Sequence, residues 1–393
     1  MTSRTYGLRL LAQPRVQLAV IVLVAFVVLA YRLLQFAALT GQIQWGYDFS
    51  AYWAAAGHLL AGASIYTPEQ LAGPYAPQVQ FLYLYAPPVA AAVVPLGALF
   101  PTDYRAAAWV WSAIGTVVLA WSVLALTRSE RLAERFPILE GRGRWLLVAA
   151  AFAFPPVVGE LVMGNVHLLL LGLLTLAWLG IRRADARGEV VAGTAVGIAA
   201  VIKVFPGALL VWFLLTRRYR AAAGVVIGAG AVILLTLPFT GIEPWRQFPT
   251  VLANLSAPSD TTDTLAPTVW LAPYLGFTVA RVVVTLAGLG ILAWSAARLT
   301  AAQSFAIAVT VSVLVAPALY HHYLALLVLP FTLALGAGVP VRWLALAYFL
   351  MWGGQQTALG DLSWVINRAL PTAGALVLLG ALILQPRVTP VQR

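Results

Sequence analysis

VVAGTAVGIAAVIKVFPGALLVWFLLT, Val190 to Thr216, is apolar throughout apart from one lysine. Arginines bracket it, with Arg182, Arg183 and Arg187 before it and Arg217, Arg218 and Arg220 after it. Basic clusters beside apolar segments are retained on the cytoplasmic side of a membrane, and one continuous crossing would put these two clusters on opposite sides. Two half-depth helices broken at KVFPG, Lys203 to Gly207, keep both clusters inside. Pro206 cannot continue the hydrogen-bond ladder, and irregular backbone at membrane depth is tolerated where it lines a cavity. The stretch predicts an all-α membrane bundle with a broken helix, and it puts the chain's only lysine, Lys203, at the break.

Composition agrees with this reading. Of 393 residues, 62% are hydrophobic and 9% charged, with a mean hydropathy of +0.89, too little charge for a water-facing surface. The net charge of +11 lies in short clusters between apolar runs, a pattern of topology and not of nucleic-acid binding. The chain has no cysteine, which excludes disulfides, thiolate catalysis and cysteine-ligated metals. The first apolar run, 16–39, exceeds a signal-peptide core and no small-residue cleavage site follows it. The Ala, Arg, Val and Gly bias points to GC-rich bacterial coding.

Apolar runs at 16–39, 105–127, 145–162, 166–181, 190–204, 205–216, 221–238, 277–297, 301–319, 323–338, 342–359 and 365–385 predict about twelve transmembrane helices in a single domain, 1–393. Both termini then face the cytoplasm with most of the arginines, and 40–104 and 239–276 form extracytoplasmic loops. The segment 85–101 is short and carries Pro87, Pro88 and Pro95, so it reads as re-entrant or interfacial. We find no internal repeat.

Few polar residues are left to explain. In GYDFSAYWAAAGHLLAGASIYTP, Gly46 to Pro68, Phe49, Tyr52, Trp53, Ala56, Leu59 and Leu60 share a helical face, which fits a helix lying in the headgroup layer with His58 near its end. Asp48 stands where it would cap that helix or act chemically. Lys203 in an apolar span costs roughly 2.5–3.5 kcal/mol, so it reads either as one half of an ion pair or as an anion site. Arg32 and Arg281, near outer helix ends, either snorkel or assist it. His321 and His322 are adjacent, a poor spacing for joint metal ligation on a helix, and there is no HExxH. In GELVMGNVHLLLL, Glu160, Asn165 and His167 either cap helix ends or line a site. Asn254 begins an N-x-S sequon, and Asp260 and Asp263 form a weak carboxylate pair.

Taken in order, YDFSAYWAAAGHLLAGASIYTP, YAPPVAAAVVPLGALFP, GNVHLLLLGLL, AGTAVGIAAVIKVFPGALLVWFLLTRRYRAA and APALYHHYLALLVLP resemble glycosyltransferase family 87 over about residues 45 to 335. The family comprises integral-membrane enzymes of GT-C type, including polyprenyl-phosphate-mannose-dependent mannosyltransferases and related arabinofuranosyltransferases. The resemblance implies an acidic residue at Asp48, a lysine before a Phe/Pro break at Lys203 and paired histidines at His321 and His322. The family's GQxN reads GNVH here, so Asn165 and His167 take those places. Ala316 and Tyr320 replace a serine and a tryptophan.

Together the residues and the resemblance suggest inverting transfer of a sugar, mannose by family frequency, from a polyprenyl-phosphate donor to a lipid-linked or cell-envelope glycan. The reaction would run at the extracytoplasmic face of a bacterial plasma membrane, without metal or other cofactor. Asp48 would be the general base. Lys203, His322, His321 and Arg281 would hold the donor phosphate, and Tyr52, Trp53, His58, Asn165 and His167 would line the acceptor and lipid side. A lipid or solute transporter is the competing class, since it also uses broken helices and intramembrane charge. A non-catalytic lipid-binding scaffold is a further rival.

Overall fold

The computed structural model describes residues 45–73, 82–256, 264–352 and 365–385, with five isolated positions before residue 45. Most of the expected first crossing at 16–39, Arg32, Asp260 and Asp263 lie outside the described residues. Every described element is helical. The elements are α1 (Tyr47–Leu60), α2 (Pro87–Leu99), α3 (Tyr104–Ser129), α4 (Trp145–Ala153), α5 (Pro155–Met163), α6 (His167–Arg182), α7 (Ala186–Ile202), α8 (Ala208–Leu215), α9 (Tyr219–Thr240), α10 (Glu243–Ser256), α11 (Pro267–Leu275), α12 (Phe277–Arg298), α13 (Ala301–Leu314), α14 (Val328–Ala337), α15 (Val341–Leu350) and α16 (Leu370–Leu384), with short helical turns between several of them.

Among the described residues, four helices are long and apolar enough to cross a membrane: α3, α9, α12 and the segment Asn367–Leu384 that contains α16. A fifth arises if α4, with the turn before it, and α5 form one span bent by 65°. This is fewer than the twelve or so that hydropathy suggests. Proline and glycine divide the apolar runs into helices shorter than a crossing, as at Pro155 between α4 and α5. The run 190–216 breaks where expected. Lys203 leaves α7 in an extended conformation (φ −148°, ψ 130°), Phe205–Gly207 makes a 3-10 turn, and α8 resumes. At 13 residues, α2 is about 20 Å long, short of the ~30 Å hydrocarbon core.

Small residues let α7 and α9 approach closely. A Cβ on Gly193 or Gly197 would collide with the carbonyl of Ala221 or Val225, and one on Gly228 with that of Thr194. This is the small-xxx-small packing by which membrane helices associate. On their other sides α9 and α12 stay largely bare, with Leu235 71% and Leu286 62% exposed, as lipid-facing helices would be.

The helix α1 departs from expectation. Phe49, Tyr52, Ala55 and Ala56 are fully buried within the protein, so its aromatic face packs on neighbouring helices instead of lying among headgroups. Phe49 and Tyr52 lie against Trp111 of α3 at ring-centroid distances of 5.6 and 6.1 Å.

A candidate active site

Two glycines set the geometry. Gly46 (φ 73°) begins α1 and Gly164 (φ 67°) ends α5, both in the left-handed region that glycine adopts without steric cost. A Cβ on Gly164 would press on Phe49, and its nearest backbone neighbour would be Gly46. The Gly46 N–H donates to Val162 O at 2.8 Å, which ties the start of α1 to the turn between α5 and α6. From α3, Trp111 Nε1 donates to Asn165 O (3.0 Å) and Ser112 Oγ to Leu161 O (3.0 Å). Asp48 is thereby held beside Asn165.

Asp48 is not a helix cap. Gly46 occupies the cap position, Asp48 is the second residue of α1, and no side chain caps the helix. Its Oδ2 instead accepts from Asn165 Nδ2 at 2.7 Å, and His322 Nε2 lies 3.7 Å away. The side chain stays 22% exposed. Burial pushes the Asp48 carboxyl above its ordinary value, while the Asn165 hydrogen bond and the Lys203 charge pull it down without cancelling that rise.

The hydrogen bonds form a network whose direction is forced. Val166 N–H donates to Asn165 Oδ1 (2.7 Å), which settles which end of the carboxamide is oxygen and leaves Nδ2 facing Asp48 and, at 3.3 Å, His322 Nε2. Tyr85 then donates its hydroxyl hydrogen to Oδ1 (3.0 Å) and accepts from Lys203 Nζ (3.2 Å). On the other side, Glu160 accepts from the His167 backbone N–H (2.5 Å) and pairs with Nδ1 (2.8 Å). His167 Nε2 therefore carries the lone pair that accepts from Lys203 Nζ at 3.0 Å. The ammonium also lies 3.7 Å from the centroid of the Tyr323 ring, a cation–π contact.

Among the described residues Lys203 has no carboxylate within ion-pair distance. Its charge reaches Asp48 through Tyr85 and Asn165, and Glu160 through His167. Among the described residues, the structural ion pair that the sequence leaves open is not made. Glu160, His167 and His322 come within 4.8 Å of one another, the spacing of a cation site. Both oxygens of Glu160 are engaged by His167, however, and the ammonium beside His167 Nε2 would repel a cation, so this donor set does not fit one.

The sequence candidates divide. Asp48, Asn165, His167, Lys203 and His322 converge, with the buried Tyr52 ring edge-on to Tyr85 (centroids 4.9 Å, 84°). His321 does not join them, because the 3-10 helix His321–Leu327 turns successive side chains by about 120° and its Nε2 bonds Met351 O (2.9 Å). Trp53 donates to Phe100 O (2.8 Å), His58 is at the exposed end of α1, and Arg281 is in the first turns of α12. Asn254, the sequon residue, donates to Gln70 O (2.9 Å) and Leu71 O (3.3 Å). Tyr85 and Tyr323 escape the sequence reading as site residues, and their only signal is a place inside the YAPP and HHY stretches.

The model of glycosyltransferase family 87 matches residues 83–330, which take in every member of this network except Asp48 and Tyr52. No curated protein matches the chain.

Proposed function

Since the chain belongs to glycosyltransferase family 87, we propose that it transfers a sugar, mannose in the first instance, from a polyprenyl-phosphate donor to a lipid-linked or envelope glycan acceptor. The reaction runs at the outer face of a bacterial plasma membrane with inversion at the anomeric carbon. The observation that carries this reading is a carboxylate aligned by an amide, in one network with an ammonium that no carboxylate among the described residues neutralises directly.

Asp48 Oδ2 is held by Asn165, and Oδ1 is left for the acceptor. As the acceptor oxygen attacks the anomeric carbon its proton passes to Asp48, the bond from that carbon to the phosphate oxygen breaks, and polyprenyl phosphate leaves with the bonding electrons. Lys203 and His322 offset the charge growing on that phosphate, the electrostatic contribution that usually dominates. His321, whose Nε2 bonds Met351 O, turns away from the phosphate in this reading. The buried ring of Tyr52 and the half-buried ring of Tyr85 wall the site.

The test is purified protein in detergent with a panel of polyprenyl-phosphate sugars and membrane glycolipids, with products and anomeric configuration read by mass spectrometry and NMR. We expect transfer from the mannose donor, unchanged by a chelator. Transfer only from an arabinofuranose donor would move the substrate assignment, and dependence on a divalent cation would overturn the metal-free reading. Uptake of a solute or lipid into vesicles without any transfer would make the chain a transporter.

A further inference from the structure

Tyr85 is the group that joins the two halves of the polar network, and neither composition nor motif assigns it a role. Its hydroxyl accepts from Lys203 at 3.2 Å and donates to Asn165 Oδ1 at 3.0 Å. It cannot exchange these roles. An ammonium has only hydrogens to offer, and Val166 N–H already requires an oxygen at the Asn165 end. The ring is placed by other means: Tyr66 donates its hydroxyl to the Tyr85 carbonyl (2.7 Å), and Tyr52 packs edge-on. The hydroxyl is therefore not needed to seat the side chain.

We propose that Tyr85 is a positioning residue of the transfer reaction. Its hydroxyl fixes and polarises the Asn165 carboxamide, so that Nδ2 stays on Asp48, and it links the Lys203 ammonium to the carboxylate that receives the acceptor's proton. This rests on the reading of Asp48 as the base. Each bond in the run from Lys203 through Tyr85 and Asn165 to Asp48 donates in the same sense, so each strengthens the next, and the removal of one hydroxyl weakens the hydrogen bond on Asp48 two residues further along.

The titratable or charged groups around Asp48 are Tyr47 and Tyr52 on its own helix, Tyr85 before α2, Glu160 on α5, Lys203 after α7 and His322 on the 3-10 turn. Tyr85→Phe removes one oxygen and leaves all six positions occupied by their rings or charges. Asp48 then loses part of the donation that favours its ionised form, so its titration moves to higher pH. The acid limb of kcat/KM moves with it.

The experiment uses the full chain in detergent, with polyprenyl-phosphate mannose and a glycolipid acceptor. We compare wild type, Tyr85→Phe and a chain with 3-fluorotyrosine at position 85, whose hydroxyl is a stronger donor. An infrared pH titration of the carboxyl band that vanishes in Asp48→Asn reads Asp48 without turnover. For Tyr85→Phe we expect kcat to fall roughly tenfold, donor KM to stay within about threefold and the Asp48 midpoint to rise. The fluorotyrosine midpoint should fall. Wild-type kcat with an unmoved midpoint in Tyr85→Phe, or shifts of one sign in both variants, would overturn the proposal. If Tyr85→Phe fails to fold, the fluorotyrosine chain decides. If wild type transfers no sugar, the glycosyltransfer reading fails and the infrared midpoints still settle whether Tyr85 acts on Asp48.

Discussion

The antiparallel pair α6 and α7 carries charge at both ends, and the two ends handle it differently. At the basic end charges pair directly. Arg182 reaches Glu130 at 3.7 Å, Arg183 reaches Asp185 at 3.3 Å and Arg218 reaches Glu189 at 3.2 Å. Asp185 also caps α7 through Gly188 N–H, and that bond, with Arg183, holds its carboxyl below the ordinary value. At the other end His167 and Lys203 belong to a network in which neutral groups separate the ammonium from each carboxylate. A pair in contact with solvent fastens helices and is worth about 0–1 kcal/mol. A half-buried ammonium whose described partners are a hydroxyl, an imidazole and a ring face has no carboxylate among the described residues in direct contact with it. The difference separates a structural end of the bundle from a chemical one, and substitutions at the two ends should break in different ways.

The largest effect is expected at Asp48. General-base help is worth roughly 10²–10⁴-fold, so Asp48→Asn should remove most turnover in a chain that folds normally and binds donor as before. The substitution is sharp because Asp48 caps nothing and an amide keeps its shape. Near wild-type transfer by Asp48→Asn would send the search for the base to Glu160, the other carboxylate of the network.

Next comes Lys203. Lys203→Ala removes the charge and leaves Tyr85 and His167 without their donor, so donor affinity should fall by about tenfold or more, read by isothermal titration with polyprenyl phosphate. Lys203→Arg should recover part of it, since it keeps the charge while changing its geometry. Unchanged affinity in a folded Lys203→Ala protein would make this end as structural as the other.

Why some of this is legible in the sequence and some is not has physical causes. Asp48, Lys203 and His322 stand out because a polar group in an apolar chain needs a reason to be there. The break at Lys203–Gly207 follows from Pro206 and the flanking arginines. The position of Asp48 within α1 is hidden, because Gly46 starts the helix from a left-handed conformation two residues earlier than hydrophobic spacing suggests. The division of an apolar run is hidden for a related reason: a run interrupted at Pro155 has the same hydropathy as one continuous helix. His321 and His322 differ only through the 3-10 geometry that points them apart. Tyr85 is one of 14 tyrosines, and only the fold gives its hydroxyl a lysine on one side and an asparagine on the other.

The smallest effect is expected at the basic end, and it is the control on the whole comparison. Arg218 and Glu189 pair at 3.2 Å with their side chains 24% and 22% exposed, and the Arg218 guanidinium lies 5.9 Å from the Trp212 ring centroid. Screening by solvent and the entropy of a long side chain limit the pair to about 1 kcal/mol or less. Arg218→Gln should therefore lower the thermal midpoint in detergent by no more than a few degrees and leave kcat and donor affinity at wild-type values, since its partner Glu189 lies at the far end of α7 from Lys203. A loss of donor affinity comparable to that of Lys203→Ala would show that the charge of this end reaches the site after all, and the division between the two ends would fall.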